Sequence, residues 1–100
     1  MKVNCASTIQ IVSTKPYSPN DVIKIMRAVV GKKAAIDVAD TAMGVDLVAA
    51  ARAAFAVDPT IAVAKTVLVF NDVEVDDNKT LSALGIKNGS SVQIRYVVNF

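Results

Sequence analysis

Residues 66–98 read TVLVFNDVEVDDNKTLSALGIKNGSSVQIRYVV, and this stretch decides the fold. In its first five residues, Leu68 and Phe70 alternate with Val67 and Val69. Successive side chains of a strand point to opposite faces of the sheet, so this alternation predicts a strand with two apolar faces. One face is expected to form the core and the other to point away from it.

The rest of the stretch predicts a series of short elements in a fixed order. Residues 71–72 form an Asn-Asp turn pair, residues 73–75 a short strand, and residues 80–84 a single helical turn. An Asn-Gly pair at 88–89 marks the last turn before a final strand over 91–98. Apolar and polar residues alternate in most of that strand, which indicates a buried face and an outward face.

Two further strands are predicted upstream. Residues 7–14 read STIQIVST, in which Ile9 and Ile11 share one face, and the prolines that follow end the strand. Residues 34–39 alternate in the same way and predict the second strand. Between these two strands lies the segment that is hardest to interpret.

That segment, residues 18–31, has two interpretations. As a helix it has Ser18 at the N-cap, Pro19 at the first helical position, apolar residues at helical spacing and Gly31 just after the end. The β-branched residues of the segment favour a strand. In a strand, however, the alternation of side chains would place Arg27 on the inner face. We therefore favour a helix over 19–30, while a strand beginning near Val22 remains the alternative.

An alanine-rich helix is predicted to follow the second strand. It begins after Thr41 as N-cap and runs to about Val57, where Asp58-Pro59 stops it. Small side chains let such a helix lie close to a sheet. The residues expected on its inner side are Met43, Leu47, Val48, Ala51, Ala54 and Phe55.

This pattern resembles the ubiquitin-like superfamily over residues 55–98. The residues that carry the resemblance are Leu68, Phe70, Asp77, Thr80, Leu81, Ser82, Ile86, Ser90, Val92 and Ile94. It implies an α+β fold of the β-grasp type, with a mixed four- to five-stranded sheet packed on one main helix. Residues 1–100 then form a single ubiquitin-like domain. Its residues 1–33 contain a first strand plus an inserted helix that is unusual for the family, or an N-terminal extension.

The resemblance also implies a site for a protein partner. Ubiquitin is recognised through an apolar patch on the outer face of its sheet, and the positions that match that face are Val67, Val69, Val73, Gln93, Arg95 and Val97. Arg95 replaces an aliphatic residue, so a partner different from the usual ubiquitin receptors is expected. Two interpretations of the valines stay open: an exposed contact surface, or a part of the core covered by the inserted helix or the first strand.

Conjugation in this family requires a C-terminal tail that ends in Gly-Gly. The sequence here ends Val97-Val98-Asn99-Phe100, and no glycine follows Gly89. A non-conjugating, non-catalytic adaptor or scaffold domain is therefore expected. The alternatives are a self-assembling head domain of a cytoskeletal protein and an accessory subunit of an enzyme or secretion complex.

Composition argues against several other classes of protein. The net charge is +2, and the basic residues are not clustered with aromatics as nucleic-acid binding would require. No apolar run is long enough to cross a membrane, and no secretion signal is recognisable. Cys5 is the only cysteine, which favours a reducing, cytoplasmic location without a disulfide.

Catalytic and metal sites are not expected either. The chain has no histidine, the commonest general base and zinc ligand, so neither an enzyme nor a cofactor is predicted. The acidic run that starts at Asp72 resembles a calcium loop, but Asp77 stands where glycine is needed and Ala83 where glutamate is needed. Cys5 lacks a histidine partner and is interpreted as a bystander.

Overall fold

The computed structural model describes residues 1–12, 19–59, 61 and 63–99. These residues form an α+β fold of five strands and two helices: β1 (Lys2–Val12), α1 (Pro19–Val29), β2 (Lys33–Asp37), α2 (Gly44–Phe55), β3 (Val63–Phe70), β4 (Val73–Glu74) and β5 (Ser91–Asn99). The strands make one mixed sheet in the order β2-β1-β5-β3-β4. The two central strands, β1 and β5, run parallel, and the other neighbouring pairs are antiparallel.

The main core lies on the sheet face that both helices cover. Strand alternation places Val3 and Cys5 of β1 and Val92, Ile94 and Tyr96 of β5 on this face, where all five are buried. Alternate positions on each strand point to the opposite face, which we call the outer face. The described residues contain no helix with the length and hydropathy needed to cross a lipid bilayer.

β1 is longer at its start than the sequence pattern predicted. Residues 2–6 pair with β2 on one side, and residues 4–12 pair with β5 on the other. This pairing excludes the alternative in which the first strand begins near Val22 and the preceding residues are an extension. The predicted strand end at residues 13–14 and the predicted N-cap Ser18 lie outside the described residues.

The segment between β1 and β2 is a helix, as favoured from the sequence. Val29 is fully buried, and Ile25 and Ala28 pack against the same main core. Helical spacing brings these residues onto one side, whereas a strand would have alternated them. Gly31, two residues after the last residue of the helix, has a φ of +84°, a left-handed conformation that glycine adopts without strain.

α2 begins later and ends earlier than predicted. Met43, not Thr41, occupies the N-cap, and its N–H donates to the Asp46 carboxylate at 2.9 Å. Ala56 adopts a left-handed conformation and closes the helix by donating to the carbonyl of Arg52 at 3.1 Å. Of the residues predicted on the inner side, Ala54 is exposed and Met43 only half-buried.

The start of α2 is held by the loop that follows β4. The N–H groups of Gly44 and Val45 donate to the carbonyls of Lys79 and Asp77 at 2.9 and 2.8 Å. These two N–H groups have no partner within the helix, so the loop satisfies them. The approach is close: a Cβ at Gly44 would lie 2.8 Å from the Cα of Asp77.

The second half of the chain follows the predicted order. β3 and β4 are joined by Asn71 and Asp72, which both have positive φ, as a tight two-residue hairpin turn requires. Leu84 donates its N–H to the carbonyl of Thr80 at 3.1 Å, which closes the predicted helical turn. β3 starts at Val63, earlier than predicted, with an irregularity in its pairing between Val63 and Lys65.

Candidate protein-binding face

The outer face is organised in rows of residues that run across the strands. One row crosses all five strands and joins, in order, Lys33, Ala6, Gln93, Val69 and Glu74. Partners in a row have neighbouring side chains, so the row fixes which groups touch on this face.

The next two rows bring the other predicted site residues onto the same face. One joins Thr8, Arg95 and Val67, and the other joins Gln10, Val97 and Lys65. Five of the six predicted site residues therefore lie together: Val67, Val69, Gln93, Arg95 and Val97.

Val73 is separated from the other five. It is the Cα partner of Phe70 across the hairpin, and Phe70 packs against the main core. Val73 therefore lies on the helix-covered side of the sheet at its edge, where it is 60% exposed. The two-residue turn causes this placement, because the residues that flank such a turn share one face.

The three valines on the outer face are buried rather than exposed. Val69 is 1% exposed, Val97 6% and Val67 9%, and they form a cluster separate from the main core. No described residue of α1 or α2 belongs to this cluster. Of the two interpretations left open from the sequence, an exposed surface does not match the burial of these valines. Within the described residues the inserted helix does not cover them either, because α1 packs on the main core. β1 borders the cluster within the sheet through Gln10.

Beside the valine cluster the outer face has two adjoining depressions. A depression of about 530 Å³ is lined on this face by Asn4, Ala6, Lys33, Ala35 and Ser91. A second one of about 360 Å³ adjoins it at Ala6 and Ser91 and extends to Gln93 and Asp72. We call the two together the outer-face trough. Side chains that are short in neighbouring strands leave this space above the backbone.

The charges on the outer face are mostly positive. The register places four basic residues on this face and two acidic ones: Lys2, Lys33, Lys65 and Arg95, against Asp37 and Glu74. Both acidic residues belong to the edge strands β2 and β4. The central strands therefore present net positive charge to a partner.

Other side chains that could react or bind a metal ion lie away from the outer face. Cys5 is buried on the main-core face, and burial raises the pKa of its thiol to about 11, so the thiol stays protonated at neutral pH. In the acidic turn, the Asp76 carboxylate accepts a hydrogen bond from the N–H of Asn78. Among the described residues, no three or more His, Cys, Asp or Glu side chains come together in a way that could hold a metal ion.

In comparisons with known proteins, no family model matches the chain, and no curated protein is significantly similar to it.

The trough was not predicted from the sequence. Its residues Asn4 and Ala6 precede the predicted start of the first strand, so they were not assigned to a face. The alternation of Val3 and Cys5 with polar or small residues could have extended that strand. The adjacent small residues Ala34 and Ala35 gave a second signal, since small side chains in a strand leave room on its surface.

Proposed function

We propose that this chain is a ubiquitin-like β-grasp domain that binds another protein through its outer sheet face and performs no catalysis. The strand order β2-β1-β5-β3-β4 with parallel central strands is the arrangement that this family would have, and it supports the fold assignment. In this proposal α1 is an insertion between the first two strands.

The observation that carries the proposal is the outer-face trough. It lies on the sheet face opposite the main core, on β2, β1 and β5, and it is large enough for one or two bulky side chains of a partner. Interfaces commonly place an apolar or aromatic side chain in such a pocket and surround it with polar contacts. Here Lys33 and Gln93 border the space.

The charge distribution favours an acidic partner. Lys33 lies at the β2 side of the trough, and Arg95 lies one row further along the same face, whereas Asp72 lines the far end of the trough. Carboxylates on the partner would pair with the two basic groups around the inserted side chain. Such pairing raises the association rate and makes binding weaker at high salt.

The proposal is tested by filling the trough. Ala35 is exposed in β2, and Ala35→Trp would occupy the space that a partner side chain needs. The domain and this variant are used to capture partners from cells of the source organism, and affinity for each captured protein is then measured by calorimetry at two salt concentrations. We expect a partner whose binding is lost with Ala35→Trp and weakened by salt.

Ala49→Trp is the matched control, because Ala49 is exposed on α2, away from the trough. It should bind as the unmodified domain does. A partner that tolerates Ala35→Trp but is lost with Ala49→Trp would place the interface on the helix side and contradict the proposal.

A second candidate function, self-association, is favoured by one observation on α1. Ile23 and Met26 are 48% and 43% exposed on one side of the helix, and Val30, directly after its last residue, is 40% exposed. A second copy could cover this apolar side. Sedimentation of the domain and of Met26→Lys over a range of concentrations tests it, and a concentration-independent monomer would rule it out.

A further inference from the structure

β2 is a free edge of the sheet. Its one neighbour is β1, and the strand at the other edge, β4, is two residues long. Within the described residues no further strand pairs with the outward side of β2. A strand at a sheet edge presents unpaired N–H and C=O groups, to which another strand can bind.

The pairing of β2 with β1 determines which backbone groups point outward. The Met1 ammonium donates to the carbonyl of Val38 at 2.7 Å, and the N–H of Val38 donates to the carbonyl of Met1 at 2.9 Å. In an antiparallel pair such exchanges recur at every second residue. The even-numbered residues of β2 therefore bond to β1. The N–H and C=O groups of Lys33, Ala35 and Asp37 point away from it.

The same three residues have the exposed side chains of β2. Lys33, Ala35 and Asp37 are exposed on the outer face, whereas Ile36 between them is buried in the main core. Neither Lys33 nor Asp37 forms an ion pair within the described residues. Ala35 has only a methyl group, so its side chain does not hinder a strand that lies alongside.

We propose that β2 pairs with β2 of a second copy of this chain in an antiparallel dimer with two-fold symmetry. The two-fold axis passes between the two Ala35 residues, so each copy uses the same surface. In this register Lys33 of one copy lies opposite Asp37 of the other, and symmetry repeats the pair. The outward groups of the odd-numbered residues form about six backbone hydrogen bonds between the copies.

Charge complementarity favours a second copy as the occupant of this edge. Charged residues on an edge strand usually discourage pairing, and like charges directly opposite each other repel. Parallel pairing of two copies in register would place Lys33 opposite Lys33 and Asp37 opposite Asp37. Antiparallel pairing centred on Ala35 instead makes two Lys–Asp pairs. The edge is therefore complementary to itself in this orientation.

The dimer is closed, and its interface is small. Each copy has one β2 edge, and the two-residue β4 is too short to extend the sheet on the other side. Pairing through one five-residue strand lies at the low end of interface size, so we expect a dissociation constant on the order of 100 µM. The outer-face trough stays open in both copies, so this inference does not rest on the proposed function.

Charge reversal tests the two Lys–Asp pairs. Lys33→Asp and Asp37→Lys each place like charges opposite one another twice, so each should weaken dimerisation about tenfold or more. An equimolar mixture of the two variants should associate as strongly as the unmodified domain. In the mixed dimer the acidic groups of one variant face the basic groups of the other. Sedimentation velocity between about 10 µM and 1 mM measures the association.

Lys65→Asp is the matched control. Lys65 is an exposed outer-face residue of β3, away from the β2 edge, and its reversal makes the same change in charge as Lys33→Asp. It should dimerise as the unmodified domain does. Circular dichroism of each variant confirms that it is folded, and reversal of these exposed charges is not expected to unfold the domain.

Amide hydrogen exchange locates the interface independently. The N–H groups of Lys33, Ala35 and Asp37 should exchange several-fold more slowly at high protein concentration, because they become bonded in the dimer. The N–H groups of Ala34 and Ile36 already bond to β1, so their exchange should change little with concentration.

Three results would overturn the inference. A monomer at every concentration would show that the edge does not bind a second copy, and a strand of another protein bound there by that monomer would be its occupant instead. A dimer that is lost with Met26→Lys but kept with Lys33→Asp would place the interface on α1. Failure of the mixed variants to associate more strongly than either variant alone would contradict the Lys–Asp pairs.

Discussion

The hydroxyl of Ser7 in β1 donates a hydrogen bond to the backbone carbonyl of Val29, the last residue of α1. The same oxygen accepts a hydrogen bond from the N–H of Lys32 at 2.9 Å, and the N–H of Ser7 donates to the carbonyl of Lys32 at 2.8 Å. One buried serine therefore joins the end of the helix, the following turn and the central strand. This arrangement fixes α1 on the main core.

Ser7→Ala is expected to lower the free energy of unfolding by about 1–3 kcal/mol, because it leaves the Val29 carbonyl and the Lys32 N–H without their partner. Urea denaturation measures this loss. Ser82→Ala replaces an exposed serine and should change stability by less than about 0.5 kcal/mol. Equal effects of the two variants would show that the Ser7 hydroxyl does not hold α1.

Val69→Asp is expected to unfold the domain or to destabilise it by about 3 kcal/mol or more. Val69 is 1% exposed, and a carboxylate placed there would be buried without a partner. Thermal denaturation followed by circular dichroism measures the effect.

Gln93→Asp is the matched control, because Gln93 is the Cα partner of Val69 on the same face but is exposed. It should melt close to the unmodified domain. A cooperative, unshifted transition for Val69→Asp would mean that the valine cluster is in fact open to solvent.

The burial of these valines is a property that the sequence pattern could not predict. Alternation of Leu68 and Phe70 with Val67 and Val69 predicted the two faces of β3 correctly, since it depends only on strand geometry. It could not predict exposure on the outer face. Exposure depends on which residues of β5 and β1 lie beside each valine, and that register comes from pairing over long distances in the chain.

The same contrast between local and long-range interactions explains which ends of the helices and strands could be predicted from the sequence. The turn at Asn71-Asp72 was predictable, because its conformation is determined by the two residues themselves. The start of α2 was not, because carbonyls of Lys79 and Asp77 satisfy its first N–H groups in place of the predicted Thr41 cap. Likewise, the first residues of β1 are ordered by β2 and β5, which lie far away in sequence.

Gly44→Ala is expected to destabilise the domain by about 1–3 kcal/mol, although alanine is the better helix former. The new Cβ would lie 2.8 Å from the backbone Cα of Asp77, and neither side can move away without breaking the hydrogen bonds that hold the start of α2. Chemical denaturation measures the change. Val45→Ala at the next, exposed position is the control, and stabilisation by Gly44→Ala would show that the loop can yield.

The pKa of Cys5 predicts how stability depends on pH. Burial raises this pKa from 9.0 to about 11, so the folded protein holds the thiol proton more tightly than the unfolded chain does. The resulting stabilisation is complete below pH 9.0, where the thiol is protonated in both states, and is lost as the pH rises to about 11. The total loss is about 2–3 kcal/mol at about 1.4 kcal/mol for each pKa unit.

Cys5→Ala isolates this contribution. The free energy of unfolding of both proteins is measured by urea denaturation between neutral pH and pH 11, and the two pH profiles are compared by slope because the substitution itself lowers stability at every pH. Burial also raises the pKa of Tyr96, which remains in both proteins, so its effect cancels in the difference. The Cys5→Ala profile should fall less steeply above pH 9.0. Parallel profiles would mean that the thiol ionises equally in the folded and unfolded states, and that Cys5 is not sealed from water on the main-core face.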